Sequence, residues 1–156
     1  MNRHDRSGFT FAEVLVVLIV ISILAGIMVM RYIELKHRAV SAQATSDMEN
    51  VRIAAFSKFY DTGVWPTPAG TGVVPPELVS YLGTGFTFNR SDYKLEFENF
   101  VPPGGGTTAS YQVGIRLTTS NTGLIATLAQ TVGTKAPYIM IGNDLVVVLV
   151  GPDGET

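Results

Sequence analysis

The spacing of apolar residues changes character twice along this chain. From Phe9 to Met30, about 22 residues, nearly every position is apolar and Glu13 is the only ionisable one. As an α-helix this run is ~33 Å long, enough to cross a hydrocarbon core of roughly 30 Å. From Ile33 the pattern thins to a stripe: Ile33, Val40, Ala44, Met48, Val51, Ala55 and Phe59 recur at helical spacing, with Glu34, Arg38, Gln43, Asp47, Glu49 and Arg52 between them. That is one face of an amphipathic helix. No Pro or Gly lies between Ile27 and Tyr60, so both patterns read as one helix of about 50 residues, ~75 Å long.

Asp61-Thr62-Gly63 ends the helix with a glycine stop. Val64 to Gly72 is a Pro/Gly-rich loop in which Trp65 is expected to plug the loop onto the helix. Pro75 to Gly83 reads as a short helix with a proline start. Beyond it the apolar period becomes two. Gly85 to Phe88 is a candidate first strand, and Tyr93, Leu95 and Phe97 alternate with Lys94, Glu96 and Glu98. Pro102 to Thr108 reads as a flexible loop. Tyr111, Val113, Ile115 and Leu117 form the inward side of the next strand. Leu124 to Val132 is a short helix, and Tyr138 to Ile141, a turn at Gly142-Asn143-Asp144, and Leu145 to Val150 make a closing hairpin. The last strand is apolar on both faces, which suits a sheet centre and is hazardous at an edge. The expected class is α+β: a long N-terminal helix, part transmembrane and part amphipathic, packed on a small antiparallel sheet. The expected divisions are a leader (1–8), a membrane half of the helix (9–30), an amphipathic half (31–60) and a head (61–156).

Composition narrows the chemistry. In 156 residues there is room for one small domain after the helix, and with no cysteine no disulfide staples it. Residues 61–156 carry four basic and eight acidic side chains, a net charge of −4, which is a poor footprint for nucleic acid. His4 and His37 are the only histidines. Without a Cys nucleophile, a phosphate-binding glycine loop or a His cluster, no catalytic or metal constellation emerges and no cofactor is implied. Gly104-Gly105-Gly106 precedes no helix and reads as a linker. Asp144, Asp153 and Glu155 match no calcium-loop spacing and read as solvated. The Lys/Arg count on the two sides of the apolar run gives no clear orientation.

The start of the chain carries the most specific signal. Met1 to Ser7 is short and polar, with Arg3, His4, Asp5 and Arg6. A secretory signal peptide has its apolar core before the cut; here a cut at Gly8 would leave the apolar run in the mature protein. Gly8-Phe9-Thr10-x-x-Glu13 ahead of that run resembles the prepilin signature of type IV pilins and type II secretion pseudopilins. Trp65-Pro66 is similar to the Tyr-Pro segment of pseudopilins. The resemblance implies a pilin-like αβ-roll and a structural, non-enzymatic filament subunit. A prepilin peptidase would cleave after Gly8 and methylate Phe9, and Glu13 would be the assembly carboxylate. The partners implied are that peptidase, copies of the chain and related pilins, an inner-membrane assembly platform and membrane lipid. The location implied is the bacterial inner membrane, crossed once with the head outside the cytoplasm, and then a periplasmic or extracellular filament. Many members carry a Pro where this chain has Met30 and a Gly where it has Ser22. No basic residue lies between Phe9 and Met30, so the amine released at Phe9 of an adjacent subunit is the expected partner of Glu13. The alternative is a monomeric, single-pass sensor or adhesin with an α+β extracytoplasmic domain, which would not need that carboxylate.

Overall fold

In the computed structural model, which describes residues 9–100 and 109–152, the two helical patterns form one helix, α1 (Phe11–Thr62). The expected loop over 102–108 and the leader lie outside the described residues. The chain divides into two compact units at Lys36 and His37. In the first, α1 passes Ser22, Gly26 and Met30 without a break, and the Ser22 hydroxyl donates to the Leu18 carbonyl at 2.7 Å, so its one polar group is met within the helix.

In the second unit α1 buries Ala44, Met48, Val51, Ala54 and Ala55, spacings that keep one stripe inward. Ile33, expected on this stripe, is 48% exposed; it falls in the first unit, before the helix meets the sheet. Gly63 takes the left-handed conformation at φ 71°, and its N–H closes the helix on the Phe59 carbonyl at 2.7 Å. Trp65 does hold the loop to the helix. Its ring stacks on Phe59 at 4.4 Å and meets Phe56 edge-on at 5.3 Å.

The sheet contains β1 (Lys94–Asn99), β2 (Val113–Thr118), β3 (Tyr138–Ile141) and β4 (Asp144–Val150), all antiparallel in the order β1-β2-β4-β3. The doubly apolar β4 therefore lies inside the sheet, and the half-buried β3 takes one edge. Cross-strand register aligns Leu95, Leu117 and Leu145 in one row and Phe97, Ile115 and Val147 in the next. These rows and the α1 stripe form the core, each large apolar side chain contributing about 1.5–3 kcal/mol on burial. Helix α2 (Thr122–Thr131) adds Leu124 and Leu128. The Asn121 side chain accepts from the N–H groups of Gly123 and Leu124 at its start.

Three expectations about elements are corrected. Gly85–Phe88 is not a strand: Gly85 turns at φ 84°, and the Thr87 hydroxyl binds the Asn89 N–H, leaving an isolated bridge between Asn89 and Lys94. The segment from Pro75 forms only a single 3-10 turn, Pro76–Leu78. Tyr111 precedes β2, and its buried ring lies over Gly114. The phenol is held by Phe100 edge-on at 5.6 Å and by the Arg116 guanidinium, which donates to it at 3.1 Å.

Asp47, read from the sequence as part of the polar face, is 6% exposed. Its Oδ2 accepts from the Tyr93 hydroxyl at 2.7 Å and from Arg90 Nε at 2.9 Å, tying α1 to the turn before β1. Burial, then this hydrogen bond, raises the Tyr93 phenol well above its ordinary 10.0. Opposite on the sheet, burial pushes the Glu98 carboxyl up despite Arg116 at 2.7 Å.

Gly114→Ala places a Cβ 2.8 Å from the Tyr111 ring and 3.1 Å from the Val147 carbonyl. Because Tyr111 is pinned, the expected cost is about 1–3 kcal/mol, seen as a lowered thermal midpoint of the detergent-solubilised protein. Asp47→Ala orphans the buried Tyr93 hydroxyl and frees the part-buried Arg90 Nε, and should cost roughly 1–3 kcal/mol, read from urea unfolding by Trp65 fluorescence. The raised Tyr93 adds a pH dependence. The unfolded phenol ionises near 10.0 and the folded one much higher, so its contribution is whole below pH 10.0 and is lost as pH climbs beyond. Tyr93→Phe should flatten that alkaline loss.

Candidate functional site

A carboxylate at the head of an apolar helix must be met by something, and here it is met within its own first turn. Thr10 is the residue before α1, and Glu13 is the third residue within it. The Thr10 N–H and hydroxyl both donate to Glu13 Oε2, at 2.7 and 2.8 Å. The Glu13 N–H in turn approaches Thr10 Oγ1 at 3.3 Å. This is a capping box: two N–H groups that a helix start leaves without internal partners are satisfied reciprocally. The negative charge also sits at the positive end of the helix dipole.

Around it, Phe9, Phe11 and the aliphatic residues through Met30 stand exposed on every side of the helix, and this is the stretch long and apolar enough to cross a membrane. Phe9, Ala12, Glu13, Val16 and Val17 line one shallow face. Phe9 and Glu13, both expected at the site, therefore share that face, with Glu13 turned back onto Thr10. Gly8 lies outside the described residues. Thr10 is the participant that sequence reasoning missed, although a Thr-x-x-Glu spacing ahead of an apolar run is itself a readable capping signal.

The head offers different ground. Two depressions among its described residues are lined by Asn50, Ile53, Tyr81, Leu82, Gly83 and Phe86, and by Arg52, Phe56, Tyr60, Pro137, Val148 and Leu149. Neither brings an acid and a base together. Among the described residues no group of three or more His, Asp or Glu side chains is placed to hold a metal ion. Asp153 and Glu155 lie outside them. His37 packs its ring on Gly123, where an added Cβ would fall 2.2 Å from it.

Thr10→Val should loosen the box, while Thr10→Ser should keep it. Losing the hydroxyl removes a cap worth about 1 kcal/mol, so hydrogen exchange at the Glu13 amide should quicken in the valine variant and stay unchanged in the serine variant.

Residues 3–29 match the family model of the prokaryotic N-terminal methylation motif. No curated protein and no solved structure matches the chain.

Proposed function

Because the chain carries the prepilin-type signature of type IV pilins and pseudopilins, we propose that it is a structural subunit of a type IV pilus-like filament or a type II secretion pseudopilus. The motif supports a structural rather than an enzymatic role, with processing by a prepilin peptidase and assembly with other pilins. In this reading the chain enters the inner membrane as a precursor, with residues 9–30 spanning it and the head outside the cytoplasm. Hydrolysis of the Gly8–Phe9 bond leaves a carboxylate on Gly8 and an amine on Phe9. The unprotonated amine takes a methyl group from a sulfonium-type donor, releasing the thioether and a proton, and the methylated nitrogen is cationic again once protonated.

The observation that carries the reading is the pairing of a lone carboxylate with an otherwise uncharged helix surface inside the matched stretch. Glu13 uses Oε2 for both Thr10 bonds. A carboxylate has acceptor sites on both oxygens, so Oε1 can receive a further donor without breaking the cap. The Phe9 ammonium of an adjacent subunit, displaced along the filament, supplies that donor and a compensating charge. An unpaired carboxylate surrounded by apolar helices costs several kcal/mol, so the pairing both recruits a subunit and sets its stagger.

The expected outcomes separate the parts. Gly8→Val keeps the leader, because a branched side chain crowds the scissile bond; intact mass of the membrane-extracted protein reads this. Glu13→Leu and Glu13→Gln lose the leader normally but form no filaments by electron microscopy when overproduced with the assembly machinery. Gln still accepts from Thr10, so its failure assigns the defect to charge rather than to the cap. Normal filaments from both variants would sink the pairing mechanism.

A further inference from the structure

The helix changes composition just after Met30, and the change has a length that matters. Arg31, Tyr32, Ile33, Glu34, Leu35 and Lys36 close the first unit of the chain. Tyr32 is 68% exposed and Leu35 63%, and Ile33 is open as well, so exposed apolar side chains stand on the same turn as the cations Arg31 and Lys36 and the anion Glu34. Arg31 lies 3.3 Å from Glu34 in an exposed pair. Such pairs are weak, and a guanidinium has five N–H donors, most of them beyond the reach of one carboxylate.

Glu13 and Arg31 are separated by about 27 Å of helix, close to the roughly 30 Å of a hydrocarbon core. Between them the helix carries no charge. From Arg31 to Lys36 the helix rises a further ~8 Å, comparable to the headgroup layer on one side of a bilayer, since the whole is about 40–45 Å thick. The two charged ends therefore bracket one hydrocarbon core, and the turn after it has the thickness of a headgroup layer.

We propose that Arg31–Lys36 is a docking turn for the phosphates of anionic phospholipids. Arg31 and Lys36 take phosphate oxygens by charge-assisted hydrogen bonds. Ile33 and Leu35 lie at the acyl boundary, and Tyr32 occupies the interfacial aromatic position. The anchor sets the depth of the helix and thereby holds Glu13 in the opposite headgroup layer until assembly lifts it into an apolar surround. This rests on the membrane-spanning reading above, and the test separates the two.

The chain has no cysteine, so single labels can be placed in the full protein. Spin labels at Ser22→Cys and Leu35→Cys would be read in phosphatidylcholine vesicles with and without phosphatidylglycerol, by collision with oxygen in lipid and with a nickel chelate in water. The expected result is a Ser22 label deep in lipid throughout and a Leu35 label at headgroup level. In Arg31→Gln/Lys36→Gln, the Leu35 label should sink by about one helical turn, ~5 Å, and its depth should cease to respond to phosphatidylglycerol. A Leu35 label that keeps its depth in the double variant, with the Ser22 label still in lipid, overturns the anchor and leaves the span standing. A Ser22 label open to the nickel chelate removes the span and the anchor with it.

Discussion

Everything in this chain is arranged around the cost of leaving a polar group without a partner on an apolar helix. A helix satisfies its backbone internally except at its ends, which is why a single unbroken α1 can present an almost wholly apolar surface as far as Met30. The one place where that surface carries charge, Glu13, is also the place where the backbone needs acceptors, and Thr10 and Glu13 meet both needs at once. The same economy recurs at Ser22, whose hydroxyl returns to the Leu18 carbonyl, and in the head at Asp47, which answers Tyr93 and Arg90 together.

The head makes sense as the complement of the second half of the helix. The α1 stripe is lined with small residues, Ala44, Ala54 and Ala55 alongside Met48 and Val51, against larger side chains on the sheet. Leu95, Phe97, Ile115, Leu117 and Val147 belong to the same buried cluster as those alanines. With no disulfide, Asp47 on the helix and the Trp65 stack at its end hold the loops that flank the sheet. Among the described residues of the head no group of three or more His, Asp or Glu is placed to hold a metal ion, and the proposed role places function in the helix.

Much of this was legible in the residues, and the parts that were not share a cause. Periods of 3.6 and 2 located α1, α2, β1, β2 and the closing hairpin, because those patterns record which side of an element faces the core. They failed where one side chain overrode its neighbours. Asp47 reads as a polar helix position, yet it is buried because Arg90 and Tyr93, more than forty positions away, come to meet it. Tyr111 continues an alternating pattern but folds over Gly114, whose missing side chain makes room. Phe88 looks like a strand residue, but Gly85 and Thr87 commit the backbone around it to turns. At the site, Glu13 stood out as the lone charge. Its partner Thr10 does not stand out, because the same Thr belongs to the cleavage signature as well as to the helix cap.

The proposed contact between subunits can be observed directly. Filaments assembled from a mixture of nitrogen-15-labelled and carbon-13-labelled subunits would be examined by solid-state NMR for transfer between the Phe9 amine and the Glu13 side-chain carboxyl. Only neighbours can supply that signal in a mixed sample. A cross-peak corresponding to an ion pair within roughly 4 Å is expected. Filaments that form normally and show no such cross-peak would contradict the proposed contact.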